Sequence, residues 1–211
     1  DGLRLLALKH PGDLVSLLGP IGRPFEADPE KPNCLLIGGG VGIPPMVFLG
    51  DALRKNEAFK PLAILGSEIP FPFDLQASNL ATPWADSAVA SCMPLLEEWG
   101  IPSRLCSLSD FAGTHRGFVT ELAEQWLQSL DETEREKTQI YTCGPTPMLK
   151  AVAELAASYN VSCQVSLEEF MACAVGGCAG CAVEITTPDG PTMQRVCVDG
   201  PVFDATTVVW Q

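Results

Sequence analysis

The sequence predicts an α/β protein in which a parallel sheet with helices on its faces is followed by a small cysteine-rich domain. Two observations carry this prediction. Between residues 33 and 162, short apolar runs alternate with segments of helical periodicity, which is the pattern of parallel strands joined by helices. After residue 162 the pattern changes to clustered cysteines and small residues with no long helical repeat.

The apolar spacing gives the individual elements. Continuous apolar runs are typical of strands buried on both faces, and apolar residues three and four apart are typical of helices. The predicted strands are 34–37, 61–66, 139–143, 165–171 and 182–186, and the predicted helices are 45–53, 118–130 and 146–159. Five prolines make residues 67–103 a region of loops with one short helix at 93–99. The charged run 131–137 is expected to be a solvated loop.

The two ends of the sequence give weaker indications. Residues 12–22 favour a short strand closed by Gly-Pro and Gly turns, as at the end of a β-rich domain that begins before Asp1. Residues 208–210 favour either a terminal strand or an interface anchor. We therefore expect three parts: residues 1–30 from a β-barrel, an α/β domain over 31–161, and a cysteine-rich domain over 162–211.

Composition argues against two classes of function. The formal net charge is −13, and a nucleic-acid partner requires clustered cations instead. The sequence contains no run of 18 apolar residues, so no membrane span is predicted. The first 30 residues lack the features of a signal peptide. Five of the nine cysteines are isolated, which suits buried thiols in a reducing cytoplasm better than a secreted disulfide framework. These five are Cys34, Cys92, Cys106, Cys143 and Cys163.

The other four cysteines follow a C-x4-C-x2-C-x15-C pattern. Three thiols from one short loop and a distant fourth are the plant-type [2Fe–2S] spacing. All but one of the intervening residues in the loop are Ala or Gly, so its backbone can wrap a compact cluster and turn N–H groups towards sulfur. The predicted iron ligands are Cys173, Cys178, Cys181 and Cys197.

A structural zinc site is the alternative for these cysteines. Zinc sites usually take their thiolates from paired C-x2-C knuckles, and the sequence contains one such pair. The function paired with this alternative is a zinc-stapled, nucleotide-binding regulatory module without redox activity. Visible absorption distinguishes the two, since a [2Fe–2S] protein is red-brown and bleaches with dithionite, whereas a zinc protein is colourless.

A glycine-rich turn follows the first predicted strand. Residues 38–45 read Gly-Gly-Gly-Val-Gly-Ile-Pro-Pro and lead into a helix, which is where backbone N–H groups and the helix dipole favour a pyrophosphate. The predicted contacts are Gly39, Gly40, Val41, Gly42 and Pro44. A tight turn without a ligand remains the alternative.

Two further turns are expected at the same sheet edge. Cys143, Gly144 and Pro145 follow a strand and precede a helix that contains Met148. Gly66, Ser67 and Glu68 follow the second strand, where an acidic residue can accept from the ribose hydroxyls of NAD. No Arg or Lys occurs within residues 61–80, which favours NAD over NADP, although a solvated carboxylate explains Glu68 equally well.

These motifs together resemble the electron-transfer subunits of type B dihydroorotate dehydrogenase. The glycine turn and the segment Tyr-Thr-Cys-Gly-Pro-Thr-Pro-Met at 141–148 resemble a ferredoxin reductase-type NAD domain, and the cysteine loop follows it in the same order as in that family. Residues 12–25, 116–120 and 197–203 resemble the end of the flavin barrel, a mid-domain segment and the surroundings of the fourth ligand.

The resemblance implies a mechanism and a partner. FAD exchanges a hydride with NAD, and single electrons pass through the [2Fe–2S] cluster to FMN in a separate catalytic subunit that oxidises dihydroorotate during pyrimidine (UMP) biosynthesis, with heterotetramers as the implied assembly. The family's main flavin motif is absent from these residues, so FAD would be held mostly outside them, with Gly2 as a remaining contact and Leu3 replacing a threonine.

No catalytic residue is predicted, because the cofactors carry the chemistry of hydride transfer. His115 is the residue best suited by type to act as an acid or base, but a lone histidine between Thr114 and Arg116 is more typical of a surface turn. An oxidoreductase subunit of the same architecture is the other open possibility: the NAD(P)-linked subunit of a hydrogenase or of a ferredoxin–NADP oxidoreductase.

Overall fold

The computed structural model describes residues 2–210, and describes side chains over 4–210. A mostly parallel sheet forms the centre of the molecule, with helices on both faces. The strands are β1 (Asn33–Gly39), β2 (Lys60–Gly66), β3 (Gln76–Ala77), β4 (Ser91–Cys92), β5 (Ser103–Ser107), β6 (His115–Arg116), β7 (Thr138–Cys143), β8 (Ser162–Ser166), β9 (Ala182–Thr187), β10 (Gly190–Arg195) and β11 (Val202–Asp204). The helices are α1 (Gly2–Leu6), α2 (Ile43–Leu53), α3 (Pro94–Glu98), α4 (Val119–Ser129), α5 (Glu132–Glu136) and α6 (Thr146–Ser158).

Seven strands form the main sheet, in the order β11-β8-β7-β1-β2-β5-β6. All neighbours run parallel except β11, which returns antiparallel to β8. Strand β1 lies between β2 and β7, so the ends of these three strands meet at one edge of the sheet. The predicted strands 34–37, 61–66 and 139–143 and the four predicted helices are confirmed within a few residues.

Apolar side chains of alternating orientation build two cores on opposite faces of the sheet. On one face, Leu35 and Ile37 pack with α4 and α6, in a cluster that continues to Cys181 and Cys197. On the other face, Leu36 packs with residues of α2 and α3. Burial of β1 on both faces explains why its sequence is a continuous apolar run. In the described part of the chain, no helix combines the length and the apolarity that crossing a bilayer requires.

The cysteine-rich region is attached to this sheet through two strands. β9 and β10 form a separate antiparallel hairpin, while β8 and β11 belong to the main sheet. The sheet therefore draws strands from both sides of the boundary expected near residue 161, and the domain limits remain a prediction. At the end of the chain, Val208 makes an isolated bridge to Ile185 and Trp210 packs against the first core, without forming a strand.

Three sequence predictions about elements are wrong. Residues 12–22 form no strand, because their backbone makes no hydrogen bonds to another segment of the described chain; Leu14 and Leu17 are exposed. The strand predicted over 165–171 instead occupies Ser162–Ser166, where β7 supplies a partner in register. The charged run 131–137 contains helix α5, because the Asp131 carboxylate caps it by accepting from the Glu134 N–H at 2.8 Å.

Two further features differ from expectation. Strand β5, at Ser103–Ser107, was not predicted, because its Ser-Arg-Leu-Cys-Ser sequence is not a continuous apolar run. His115 is not a surface-turn residue: it lies in β6, and its half-buried imidazole Nε2 is 2.9 Å from Glu121 Oε2. That hydrogen bond lowers the pKa of the Glu121 carboxyl, an effect that the Phe118 N–H reinforces. The pair ties β6 to the first turn of α4.

Candidate iron–sulfur and nucleotide site

The four clustered cysteines lie on two pieces of backbone. Cys173, Cys178 and Cys181 belong to an irregular loop between β8 and β9, which we call the cluster loop (residues 168–181). Cys197 lies in a tight turn between β10 and β11, which we call the fourth-ligand turn (residues 195–200). All four are free thiols, so no disulfide competes with metal binding. Cys181 and Cys197 are buried, whereas Cys178 is exposed and Cys173 is half-buried.

The backbone of the cluster loop turns its N–H groups towards sulfur. The N–H of Val175 is the largest influence on the Cys173 thiol, followed by the Cys178 N–H and thiol, and together with Gly177 they lower the pKa of Cys173 to about 6. The Gly180 N–H donates to Cys178 Sγ at 3.4 Å. Donors aimed at sulfur favour the thiolate form, which is the form that binds iron.

Left-handed backbone makes this inward orientation possible. Ala174, Gly176 and Ala179 have φ values of 57°, 79° and 54°. Small side chains are required at such positions, because a Cβ in the left-handed region meets its own carbonyl oxygen. The Ala and Gly composition of the loop is therefore explained by its conformation as well as by the space that a cluster needs.

The four thiols lie near one another. The Cys178 thiol acts on that of Cys173, and the thiols of Cys181 and Cys173 both act on that of Cys197. Burial is the main cause that raises the pKa of Cys197, and the Cys181 thiol adds to it. Within residues 2–210, no three His, Cys, Asp or Glu side chains converge as a single-ion site would require. Four neighbouring cysteine thiols in this spacing match the ligand set of a [2Fe–2S] cluster.

The fourth-ligand turn is tightly cross-linked. The Val196 N–H donates to Cys181 O at 3.0 Å, which fixes the backbone of Cys197 beside that of Cys181. The Arg195 carbonyl accepts from three N–H groups, those of Val198, Asp199 and Gly200, at 2.8 to 3.2 Å. The residues around the cluster loop thus fit a [2Fe–2S] cluster in the type of donor, in the proximity of the four thiols and in the backbone N–H groups that point at sulfur.

Two residues near the cluster were missed by sequence reasoning. Arg195 and Asp199 stand two residues before and after Cys197, and they form an ion pair with an Nε–Oδ2 distance of 3.0 Å. Arg195 also donates from Nη1 to Gly176 O at 3.0 Å. The available signal was the pair of opposite charges flanking a predicted ligand in an otherwise apolar and small-residue segment.

The predicted glycine turns meet at one edge of the sheet. Gly38, at the end of β1, is in register with Leu65 of β2 and Cys143 of β7. A Cβ at Gly42 would lie 2.0 Å from the Cys143 carbonyl oxygen, so the two turns touch and Gly42 admits no side chain. The expected convergence of the turns after β1 and β7 is therefore present.

Met148 fills the space between these turns. A Cβ on Gly39 would lie 2.5 Å from Met148 Sδ, and a Cβ on Gly144 would lie 2.5 Å from its Cε. Gly40 is different, because it has φ +54° and no heavy atom within 4 Å of the position where its Cβ would be. Val41 beside it is 77% exposed. The turn therefore presents open backbone to solvent at Gly40 and Val41, while Gly42 is buried against the turn after β7.

The remaining predicted nucleotide contacts have mixed surroundings. A Cβ on Gly66 would lie 2.7 Å from Val119 Cγ1, so close packing against α4 explains this glycine without a ligand. Ser67 Oγ donates to the Ile69 carbonyl at 2.7 Å, and Glu68 is exposed at the same edge. Cys143 is half-buried, and burial raises the pKa of its thiol.

Two other predicted contacts are prolines that flank the same turns, and Pro145 Cδ is 3.3 Å from the position that a Cβ on Gly39 would take. Pro44 is exposed in the first turn of α2, beside the glycine turn, and Pro145 precedes the first residue of α6. Because proline has no N–H, neither residue can donate to an anion, so donors at this edge come from the glycines. Gly2, the predicted flavin contact, lies in helix α1.

Comparison with known proteins adds three findings. Residues 168–209 match the family model of the iron–sulfur cluster binding domain of dihydroorotate dehydrogenase B. The chain is 31% identical over 211 residues to the dihydroorotate dehydrogenase B (NAD+) electron transfer subunit of Caldanaerobacter subterraneus subsp. tengcongensis, covering 100% of this chain and 72% of the relative. It is 35% identical to the subunit of the same name from Geobacillus kaustophilus, covering 99% of this chain and 70% of that relative.

A solved structure is also similar along the whole chain. It belongs to an NADH-dependent reduced ferredoxin–NADP oxidoreductase, with a TM-score of 0.74 and 26% identity. The match covers 100% of this chain and 66% of that one. The similarity therefore includes both the sheet that carries the glycine turns and the region that carries the cysteines.

Proposed function

This chain belongs to the family of dihydroorotate dehydrogenase B (NAD+) electron transfer subunits, and from that membership we propose that it relays electrons between NAD and a separate, FMN-containing catalytic subunit that oxidises dihydroorotate to orotate in pyrimidine biosynthesis. The observation that carries the proposal is a set of four neighbouring free thiols, three of them in a loop whose N–H groups point at sulfur. The reaction class is oxidoreduction, with the dihydroorotate site on the other chain.

The residues proposed to hold the [2Fe–2S] cluster are Cys173, Cys178, Cys181 and Cys197. When bound, such a cluster accepts and releases one electron at a time, which links two-electron carriers such as nicotinamide and flavin. The protein contributes thiolate ligands, N–H donors to sulfur and partial exclusion of water, which are the quantities that set a cluster's reduction potential.

The glycine turns are proposed to bind NAD. The exposed backbone at Gly40 and Val41 and the N-termini of α2 and α6 favour the pyrophosphate, because both helix dipoles point their positive ends at this edge. The Cys143–Pro145 turn borders the place where a nicotinamide would lie, and Glu68 is proposed as the acceptor for ribose hydroxyls. Glu68 is the reason for proposing NAD rather than NADP.

FAD is proposed as the second cofactor on family grounds. Its contact at Gly2, in α1, is likewise a proposal on family grounds. The remaining limits are also proposals: a barrel segment over 1–30, an NAD domain over 31–161, an iron–sulfur domain over 162–211, and a cytoplasmic location. The isolated buried thiols of Cys34, Cys106 and Cys163 support the last of these, because buried free thiols are typical of a reducing compartment.

Two exposed apolar side chains in the cluster loop support the proposed partner. Phe170 is 95% exposed and Val175 is 60% exposed, on either side of Cys173 in the sequence. Large apolar side chains at such exposure are typical of protein interfaces. A catalytic subunit that docks on these residues would be close to the exposed Cys178 thiol, which shortens the path for electron transfer.

Anaerobic reconstitution tests the proposed function. The chain is incubated with ferrous iron and sulfide, and the expected product is red-brown, contains two irons and two sulfides per chain, and bleaches with dithionite. Each of the variants C173S, C178S, C181S and C197S is expected to lose most of this absorbance. C34S is the matched control, because the Cys34 thiol already points at the carbonyls of Lys31 and Pro32 and a hydroxyl can replace it.

The outcome also distinguishes the alternatives. A colourless product with one zinc per chain would contradict the redox function and support a zinc-stapled module. A product that forms the cluster but binds NADPH at least tenfold more tightly than NADH would contradict the NAD assignment and favour a ferredoxin–NADP oxidoreductase-type role. Failure to reduce the cluster with dihydroorotate, in the presence of FAD and the co-purified catalytic subunit, would contradict the proposed partner.

A further inference from the structure

The Arg195 guanidinium bridges the two backbone segments that carry the cysteines. Its Nη1 donates to the Gly176 carbonyl at 3.0 Å, between Cys173 and Cys178 in the cluster loop. Its Nε donates to Asp199 Oδ2 at 3.0 Å, in the fourth-ligand turn. One side chain therefore links the three-cysteine loop to the turn that holds Cys197.

Asp199 makes this bridge rigid. Its carboxylate accepts from the Arg195 backbone N–H at 2.9 Å as well as from the guanidinium, so both ends of the Arg195 residue are held by one acceptor. Because the Arg195 carbonyl also accepts N–H groups from the same turn, Cys197 lies in a turn closed by hydrogen bonds to Arg195 and Asp199.

The close approach at Gly176 is a second observation. A Cβ there would lie 3.1 Å from Arg195 Nη1 and 3.1 Å from Val198 Cγ2, and its φ is +79°. A residue with a side chain would push the cluster loop away from the fourth-ligand turn. Gly176 is thus explained by its contact with Arg195 and Val198 as well as by its left-handed backbone.

We propose that Arg195 and Asp199 form a latch that positions Cys197 against the cluster loop and sets the reduction potential of the bound cluster. This inference rests on the proposed [2Fe–2S] function. Reduction adds negative charge to an already anionic four-thiolate cluster, so a fixed guanidinium beside the loop favours the reduced form. Asp199 moderates that effect by neutralising part of the charge. Both are positioning residues, since neither is a ligand.

Four variants of the full chain test the latch after anaerobic reconstitution. R195Q removes the charge and the bridge to Gly176. R195K keeps a charge but lacks the planar fork that contacts both partners. D199N keeps the shape but loses the counter-charge. R54Q is the matched control, because Arg54 also forms an ion pair with an aspartate, Asp51, on helix α2.

The readouts are the midpoint potential and the rate of cluster loss to a chelator. At the wild-type midpoint we expect R195Q to lower the reduced-to-oxidised ratio up to tenfold, or about 59 mV for a one-electron couple. D199N is expected to raise that ratio, and R195K to stay near wild type. R195Q, R195K and D199N are each expected to release iron at least threefold faster, and R54Q to match wild type in both readouts.

Hydrogen exchange of the iron-free chain separates the two proposals. We expect amides 174–180 to exchange faster in R195Q than in the wild-type chain without any metal, because the Gly176 contact exists in the protein alone. A wild-type chain that binds no iron would overturn the proposed function and not this loop contact. If R195Q and D199N both have the midpoint potential and the iron-release rate of the wild-type chain, the latch is overturned. If R195Q folds but takes up no cluster, the latch is supported, and D199N then decides its electrostatic part.

Discussion

Ala174 and Ala179 hold left-handed backbone in the cluster loop, where most proteins place glycine. A non-glycine residue in this region costs roughly 1–2 kcal/mol, and a β-branched side chain is less tolerated than alanine. The loop retains this conformation because it turns N–H groups such as that of Gly180 towards sulfur. Local backbone strain and cluster binding are therefore linked at single residues.

A pair of substitutions at Ala179 tests that link. A179V should reduce the iron bound per chain by more than half, because a branched Cβ forces φ away from +54° and moves the N–H of Gly180. A179G permits the same φ and should bind iron as the wild-type chain does. Iron and sulfide analysis with visible absorption measures both. Equal iron content in the two variants would contradict the argument.

At the scale of elements, strands β1 and β2 were predictable because their burial on both faces leaves a continuous apolar run at their centres. β5 was not predictable in this way, since Arg104 interrupts it; the guanidinium is buried by donating to the carbonyls of Ser103 and Leu80. Helix α5 carries a readable signal that was overlooked. Asp131 and Glu134 form a capping box, with reciprocal hydrogen bonds of 2.8 and 3.1 Å, within a run that looks like a charged loop.

The candidate site likewise has some features that the sequence predicts and others that it does not. The spacing of four cysteines and two glycine turns was readable because these residues are required by local backbone geometry. The Arg195–Gly176 contact joins residues that are 19 apart in the sequence through a side chain. The proximity of Cys197 to the other three thiols depends on how the fourth-ligand turn packs against the cluster loop. Such relations are set by tertiary packing, so a single sequence contains the residues but not their pairing.

The glycine turn after β1 allows a test that separates nucleotide binding from folding. Gly40 faces open space, and asparagine tolerates its φ of +54°, so G40N should leave the unfolding midpoint close to that of wild type. If a pyrophosphate lies against residues 40–42, the new side chain occupies its place, and the Kd for NADH should rise about tenfold, or 1.4 kcal/mol.

The matched control for this test is G12N. Gly12 also has a left-handed φ, of +100°, and no heavy atom within 4 Å of its Cβ position, but it lies in the irregular N-terminal segment. We expect G12N to bind NADH as wild type does, measured by calorimetry or by fluorescence quenching. A G40N chain with wild-type affinity would place the nucleotide elsewhere.

At the scale of the whole molecule, the two proposed cofactor sites belong to one continuous structure. Strands β8 and β11 join the cysteine-rich region to the sheet, and Cys181 and Cys197 pack in the same core as α4 and α6. The buried thiols of Cys181 and Cys197 thus lie against the core of the sheet that carries the glycine turns, while the Cys178 thiol is exposed to solvent. This orientation suits a relay that receives electrons on one side and delivers them on another.

The outward side predicts where the catalytic subunit docks. Phe170, in the cluster loop, is 95% exposed, and exposed aromatic side chains are frequent binding hot spots. F170D should weaken binding to the catalytic subunit by about 2 kcal/mol, roughly thirtyfold in Kd, because a buried carboxylate would replace an apolar contact. The iron content of the chain should not change, since Phe170 is not a ligand.

F48D is the control for that experiment, because Phe48 is 79% exposed on helix α2 and away from the cysteines in sequence and in fold. The two variants differ only in which surface receives the charge, so binding measured by surface plasmon resonance with the reconstituted protein distinguishes them. If F48D weakens the complex and F170D leaves it intact, the catalytic subunit docks on the α2 face, and electrons must leave the cluster by a longer path.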